Sequence, residues 1–172
     1  MKLVHFTQSP KGRFFDIVKI MKDLKTVIAE YLSTTKVMKI ATCVDDTPWC
    51  CTVYFAYDDD DWNLYWISKP EQRHSREISK NPRVAGAIAY DQQPPQRVVR
   101  GLQFEGTAEL LMGREEEKAS KYYIKQLDRE ASLLEDIRSG TNPHKFYRIK
   151  PSKFVLFDRL NFPNKERQEY VV

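Results

Sequence analysis

A nine-residue stretch of the sequence carries five side chains that could bind an anion. Ser68, Arg73, His74, Ser75 and Arg76 lie between two apolar runs. Hydroxyl groups and cationic side chains donate hydrogen bonds to phosphate or carboxylate, and a helix starting after the first run would add unpaired N–H groups. A solvated basic helix has the same composition, so these residues alone leave both interpretations open.

The cysteines offer little chemistry by their spacing. Cys43, Cys50 and Cys51 are odd in number and two of them are adjacent, which argues against a disulfide framework. The sequence has no C-x-x-C, and its three histidines are far apart, so we predict no metal site. Cys50 and Cys51 should point to opposite faces of a strand as inert thiols, and free thiols suit a reducing cytoplasm.

Charge and hydropathy exclude two classes of partner. The 172 residues include 28 Lys and Arg against 24 Asp and Glu, and both signs are interspersed. This balance is too weak to predict nucleic-acid binding. The sequence has no apolar window long enough to cross a membrane and no export signal. We expect a cytoplasmic protein that binds neither nucleic acid nor membranes.

The elements that must position the candidate side chains are mainly strands. Apolar residues at helical spacing predict helices over 16–32, 70–80 and 114–127, with 130–138 extending or restarting the last. Runs rich in β-branched and aromatic residues predict six strands, over Val37 to Val44, Trp49 to Tyr57, Trp62 to Ser68, Val84 to Tyr90, Val98 to Leu111 and Lys153 to Leu156. The predicted fold is mainly β, a closed or nearly closed antiparallel barrel with three or four peripheral helices.

The turns and the domain plan agree with a barrel. DDTP at 45–48 and DDDD at 58–61 are short enough for hairpins, and DDDD lacks the spaced ligands of a calcium loop. No repeat, linker or change of composition divides the chain. We predict an N-terminal extension over 1–15 and a single domain over 16–172.

The order of these elements resembles the pyridoxamine 5'-phosphate oxidase-like FMN-binding split barrels. Residues 47–89 resemble the family's flavin-binding core, in which a strand end with Thr or Ser is followed by four residues, a basic pair and a short helix closing in Asn-Pro-Arg. Those positions are Ser68, then Arg73 and His74, then Asn81 to Arg83. The run 99–111 looks like the long strand that follows, and 146–162 like the closing strand. The chain most resembles a small, poorly characterised bacterial subgroup.

This resemblance implies a fold, a cofactor and a set of contacts. The implied fold is a six-stranded antiparallel Greek-key split β-barrel, assembled as a homodimer with FMN at the subunit interface. Arg73 and His74 would hold the phosphate, assisted by Ser68 and the backbone near Ile67. The expected contacts to the flavin ring are Cys51, Thr52 and Val53, with Gln103 as a weaker contact beside Gly101. FMN would make the protein an oxidoreductase acting on a small-molecule redox substrate.

Three departures from the family pattern shape the expected function. His74 stands where the family usually has Lys, which predicts FMN binding that is weaker or pH-sensitive. The first flavin strand begins with Arg in the oxidase but with Trp49, Cys50 and Cys51 here, which removes another phosphate partner. The three tryptophans are expected to fill the barrel and the dimer seam. The C-terminal stretch has no counterpart of the oxidase's substrate residues, so vitamin B6 oxidation is not the predicted reaction. Heme, a deazaflavin, or a non-catalytic dimer without cofactor are the alternatives.

Overall fold

The structure is a computed structural model that describes residues 22–89 and 100–172. The predicted N-terminal extension, 1–15, and the start of the predicted first helix lie outside the described residues. The described helices are α1 (Leu24–Thr34), α2 (Arg73–Lys80), α3 (Arg114–Leu127) and α4 (Leu133–Ser139). The described strands are β1 (Val37–Val44), β2 (Thr47–Tyr54), β3 (Ala56–Tyr57), β4 (Leu64–Ser68), β5 (Arg83–Ala89), β6 (Arg100–Leu110), β7 (Lys145–Asp158) and β8 (Arg167–Val171).

All eight described strands form one antiparallel sheet. Its order is β2-β1-β5-β6-β7-β4-β3, and β8 pairs with β7 off this path. Only Phe55 separates β2 from β3, so one bent stretch of chain supplies both edges of the path. The sheet therefore curls into a half-barrel, and the predicted antiparallel split barrel is confirmed.

The strand count differs from the prediction of six for two reasons. The bend at Phe55, whose N–H donates to the carbonyl of Lys36 (2.9 Å), divides one predicted strand into β2 and β3. The second addition is β8, whose alternation of exposed and half-buried residues is obscured by its charged side chains. β7 also begins eight residues before the predicted Lys153, because its first half is covered on both faces and lacks the alternation of a half-buried strand.

The barrel interior is a continuous apolar core. Trp66, Tyr31 and Phe55 are among its largest members and are almost fully buried. Gly86 is needed in this wall, because a Cβ there would lie 2.1 Å from the ring of Phe104. Close packing of this kind fixes the register of β5 against β6 and, with it, which residues face outward.

A second apolar cluster lies outside the barrel, beneath α3 and α4. Tyr65, Phe146 and Tyr123 form its centre, with the rings of Tyr123 and Phe146 edge to face at 5.8 Å. The predicted bounds of α3 are confirmed, and α4 restarts the helical course, one of the two options for 130–138. The barrel and α3 are tied by Asp58, whose buried carboxylate accepts from Lys118 Nζ at 2.6 Å.

Candidate functional site

Helix α2 packs against the barrel next to the end of β4 and divides the candidate anion-binding residues between its two sides. The helix begins at Arg73, three residues after Pro70, and its N-cap residue Gln72 makes no side-chain cap hydrogen bond. It ends where the N–H of Asn81 donates to the carbonyl of Glu77, just before Pro82. The start predicted at Pro70 is therefore corrected to Arg73, because 70–72 form a turn.

The inward side of α2 holds a buried hydrogen-bond network. His74 Nε2 lies 2.7 Å from Ser68 Oγ, and the hydroxyl of Ser75 donates to Ser68 Oγ at 3.3 Å. All three side chains are less than a tenth exposed. Burial lowers the pKa of His74, and the nearby carboxylate of Glu77 opposes this shift only in part. His74 is therefore a neutral partner of Ser68 at ordinary pH.

The outward side of α2 carries a different arrangement, centred on Arg73. Its guanidinium stacks over the ring of Trp49 at 4.5 Å from the centroid, and its Nε donates to Glu77 Oε1 at 2.7 Å. The second carboxylate oxygen of Glu77 accepts from the hydroxyl of Thr42. The Thr42 bond, and then that of Arg73, lower the pKa of Glu77. Within the described residues, the two terminal nitrogens of Arg73 have no hydrogen-bond partner.

The three β2 residues predicted to line a flavin ring alternate between faces. Cys51 and Val53 are half-buried against the barrel core, whereas Thr52 is exposed on the outer face. Burial raises the pKa of the Cys51 thiol to about 11, so the thiol stays protonated, as expected of an inert cysteine. Cys50, its neighbour on the other face, is exposed.

Gln103 lies on the outer face of the sheet. It is exposed and pairs with Ala87 of β5, which pairs with Lys39 of β1, which in turn pairs with Thr52. Directly paired residues share a face, so Thr52 and Gln103 are roughly 14 Å apart, the width of three strand spacings. Lys39 and Ala87 lie between them, and both line a groove of about 640 Å³ that extends to Gln103.

One chain does not bring the eight predicted site residues into a single cluster. Ser68 and His74 meet inside, Arg73 lies on the opposite side of α2, and the side chain of Ile67 packs into the cluster beneath α3 and α4. Thr52 and Gln103 lie on the outer sheet face. Arg76 is exposed and donates to the backbone carbonyl of Glu71, as expected of a solvated surface residue.

Comparison with known families assigns the chain. The model of the pyridoxamine 5'-phosphate oxidase family matches residues 24–157, which include every strand from β1 to β6 and nearly all of β7. The chain belongs to this family. The match covers α2 and both of its sides, so the two arrangements described above are features of a member of this family.

Relatives and solved structures extend the assignment. A UPF0306 protein of Klebsiella pneumoniae is 30% identical over 99 residues, which cover 58% of this chain and 67% of the relative. A heme binding protein from Mycobacterium smegmatis has a TM-score of 0.67 at 16% identity, over 88% of this chain and 60% of that one.

Two further solved structures share the fold. A heme storage protein from Vibrio cholerae has a TM-score of 0.59 at 17% identity, over 87% of this chain and 95% of that one. An FAD-binding protein from Mesorhizobium loti has a TM-score of 0.56 at 23% identity, over 75% and 90%. The pyridoxamine 5'-phosphate oxidase-like fold thus occurs in proteins described by different cofactors.

Three residues that the sequence analysis left out of the site contact or brace Arg73 in this family member. Glu77 could have been found, because it is four residues after Arg73 and such pairs face each other on a helix. Trp49 and Thr42 could not, because they are paired across β1 and β2 and meet α2 only through folding. Trp62 and Trp66 fill the barrel as predicted, but Trp49 is 41% exposed outside its core.

The sequence also held a signal for the orientation of α2. Ile78 is the apolar residue of this short helix and belongs to the barrel core. His74 and Ser75 precede it by four and three residues, which places all three on one helix face. Arg73 and Glu77 form the neighbouring face, so His74 could have been predicted to point inward.

Two other features of the described residues bear on ligands. The carboxylates of Asp58, Asp59 and Asp60 lie within 4.8 Å of one another, but Asp58 already accepts from Lys118 and from two backbone N–H groups of its turn. Among residues 22–89 and 100–172, no helix has the length and apolar character to cross a membrane.

Proposed function

We propose that the protein binds FMN and is an oxidoreductase that acts on a small molecule, with FMN at the interface of a homodimer. The observation that carries this proposal is Arg73. Its guanidinium is held beside the N-terminus of α2 with both terminal nitrogens available, at the family's phosphate-binding position. The family match over residues 24–157 supports it.

The residues present fit a phosphate through Arg73 and not through His74. The first turn of α2 has no acidic side chain and no side-chain cap, so its N–H groups can add to the charge of Arg73. His74 is committed to Ser68 within the protein. The expected basic pair therefore reduces to one cation, assisted by backbone groups.

The remaining contacts support a dimeric arrangement. Gln103 and Thr52 lie on the outer face of the sheet. Arg73, the first residue of α2, lies against the other face of β1 and β2. An FMN held by Arg73 would reach Gln103 only if this residue came from a second chain. The small side chains Ala85, Ala87 and Ala89 leave grooves on the outer face, which are also lined by charged residues such as Lys39.

FMN, when bound, supplies electron or hydride transfer, and the protein supplies binding and orientation. Arg73 and the first turn of α2 would fix the phosphate end. The half-buried side chains of Cys51 and Val53 would contact the ring and exclude water from one side of it. The proposal does not extend to vitamin B6 oxidation, because the chain after β7 carries no counterpart of the oxidase's substrate residues.

Heme is the competing cofactor, since two proteins of this fold are described as heme binding and heme storage proteins. In the described residues, His74 Nε2 is bonded to Ser68 and His144 Nδ1 to Asn142 at 2.7 Å. A histidine with one bonded ring nitrogen can still ligate heme iron through the other, so the absorption spectrum distinguishes the two cofactors. A deazaflavin and a cofactor-free dimer are distinguished by the same measurement.

The test is the visible spectrum and oligomeric mass of freshly purified protein, followed by titration with FMN. We expect the two visible bands of oxidised flavin, quenching of FMN fluorescence on binding, and the mass of a dimer. A Soret band would establish heme instead. Colourless protein that neither quenches FMN nor gains thermal stability with FMN, heme or deazaflavin would refute cofactor binding.

A further inference from the structure

Trp49 differs from the other two tryptophans of the chain in its exposure. Trp62 and Trp66 are 6% and 0% exposed in the barrel core, but Trp49 is 41% exposed at the end of β1 and β2. Its exposed ring is not empty apolar surface, because the guanidinium of Arg73 stacks on it at 4.5 Å. Stacking of this kind is favourable through the electrostatics of the ring face and does not use the N–H donors of the guanidinium.

Arg73 is held from a second direction by Glu77. The Nε donor of Arg73 is bonded to Glu77 Oε1 at 2.7 Å, and Glu77 is held by the hydroxyl of Thr42, which is 2% exposed. Trp49 therefore fixes the plane of the guanidinium, and Glu77 fixes its rotation within that plane. The edge that remains carries the two terminal nitrogens, and the side chain is 38% exposed.

We propose that Trp49, Glu77 and Thr42 form a clamp that presents the terminal nitrogens of Arg73 to a phosphate monoester, so that Trp49 determines phosphate affinity. This inference rests on the proposed function and deepens it, because it assigns Trp49, Glu77 and Thr42 a role in presenting Arg73 to the phosphate. Trp49 adds no charge. It removes the conformational freedom that a long arginine side chain would otherwise lose on binding.

The geometry also selects the kind of ligand. A guanidinium whose Nε is occupied can bind end-on through its two terminal nitrogens, which matches two oxygens of a terminal phosphate. The nearby carboxylate of Glu77 lowers the positive potential, so the site depends on hydrogen-bond geometry more than on total charge. Riboflavin, which lacks the phosphate, should not use this clamp.

The test compares FMN and riboflavin in the full-length protein and in two variants of one position. Trp49→Leu keeps an apolar side chain and removes the ring, whereas Trp49→Phe keeps a smaller ring face. We expect Trp49→Leu to weaken FMN binding about threefold to thirtyfold and riboflavin binding less than about twofold, measured by flavin fluorescence. Trp49→Phe should lie between Trp49→Leu and the parent.

Two results would overturn the clamp. Equal losses for FMN and riboflavin would show that Trp49 contacts the ring system, and unchanged FMN affinity in Trp49→Leu would show that Arg73 needs no platform. If Trp49→Leu fails to fold, Trp49→Phe decides the question by the same comparison.

A parent that binds neither flavin would refute the proposed function and leave the clamp to be tested with inorganic phosphate. Phosphorus NMR line broadening is the readout. Broadening by the parent that is reduced in Trp49→Leu supports the clamp without FMN. No broadening by the parent, or equal broadening by both proteins, refutes it.

Discussion

Neighbouring residues on the two sides of α2 have different roles. On the inward side, His74 and Ser75 close the barrel end by bonding to Ser68, and all three are shielded from water. On the outward side, Arg73 is fixed by Trp49 and Glu77 but keeps donors for a ligand. Adjacent residues of a helix differ by about 100° in direction, so a basic pair in the sequence need not be a basic pair in space.

The difference shows that one residue of an apparent phosphate motif can become structural. A buried histidine without a carboxylate partner costs little when it is neutral, whereas a lysine in the same place would bring a charge into the protein. His74 is therefore compatible with the barrel end in a way that Lys would not be. This division of roles predicts effects of different size when His74, Arg73, Ser68 or the pH is changed.

Replacing His74 with Lys should destabilise the fold and should not improve FMN binding. The ammonium group would be buried beside Ser68, and the Glu77 carboxylate, already bonded to Arg73 and Thr42, would offset its burial only in part. We expect a loss of about 3 kcal/mol in the free energy of unfolding. Urea denaturation at matched protein concentration measures it. His74→Gln, which stays neutral and polar, is the control and should lose about 1 kcal/mol. A His74→Lys protein as stable as the parent and with tighter FMN binding would place this side chain at the phosphate.

Replacing Arg73 with Ala should cost ligand affinity rather than stability. Loss of a charge-assisted contact should weaken FMN binding by about tenfold to a hundredfold, roughly 1.5 to 3 kcal/mol. The matched control is Arg76→Ala, which removes the same charge from the same helix but only an exposed bond to the carbonyl of Glu71. Fluorescence titration of both variants checks the prediction. Equal losses would mean that general positive charge, and not the position of Arg73, binds the phosphate.

Replacing Ser68 with Ala should affect stability more than affinity. The variant leaves His74 Nε2 without its partner in a buried place, which should cost about 1 to 2 kcal/mol of unfolding free energy. Ser79→Ala, on the exposed surface of α2, should change stability by less than about 0.5 kcal/mol. If Ser68→Ala instead weakened FMN binding tenfold at unchanged stability, Ser68 would contact the ligand.

The smallest effect is the pH dependence of stability. Burial lowers the pKa of His74 from 6.5, so the unfolded state takes up the proton first as pH falls. The contribution of His74 to stability should therefore decrease below pH 6.5, with a slope of at most about 1.4 kcal/mol per pH unit for this one proton, and level off below its folded pKa.

Two comparisons isolate the contribution of His74. Burial also lowers the pKa of His144, so His144→Gln is the control. The slope of unfolding free energy against pH should be shallower in His74→Gln than in the parent, and the slope in His144→Gln measures the part that comes from His144. The pH profile of FMN affinity should be the same in the parent and in His74→Gln. A pH profile of FMN affinity that differs between His74→Gln and the parent would show that His74 contributes to phosphate binding.

The sequence predicted most of the strands and the bounds of α3 because these depend on local patterns. β1 and the strand that bends at Phe55 follow runs of apolar and β-branched residues, and α3 follows a helical period with acidic residues in its first turn. β7 is predicted only in part, and β8 is not predicted. β7 is covered on both faces, and β8 alternates weakly under its charges, so neither shows the expected period.

The candidate site divides in the same way. By itself the sequence placed a hydroxyl, an arginine and a histidine near the junction of β4 and a short helix, and Ile78 marks the buried face of that helix. Only the tertiary structure decided that His74 bonds to Ser68, that Arg73 stacks on Trp49, and that Gln103 faces outward. Local periods depend on neighbours along the chain, whereas these contacts depend on strand register and on how α2 packs against β1 and β2, which long-range packing fixes.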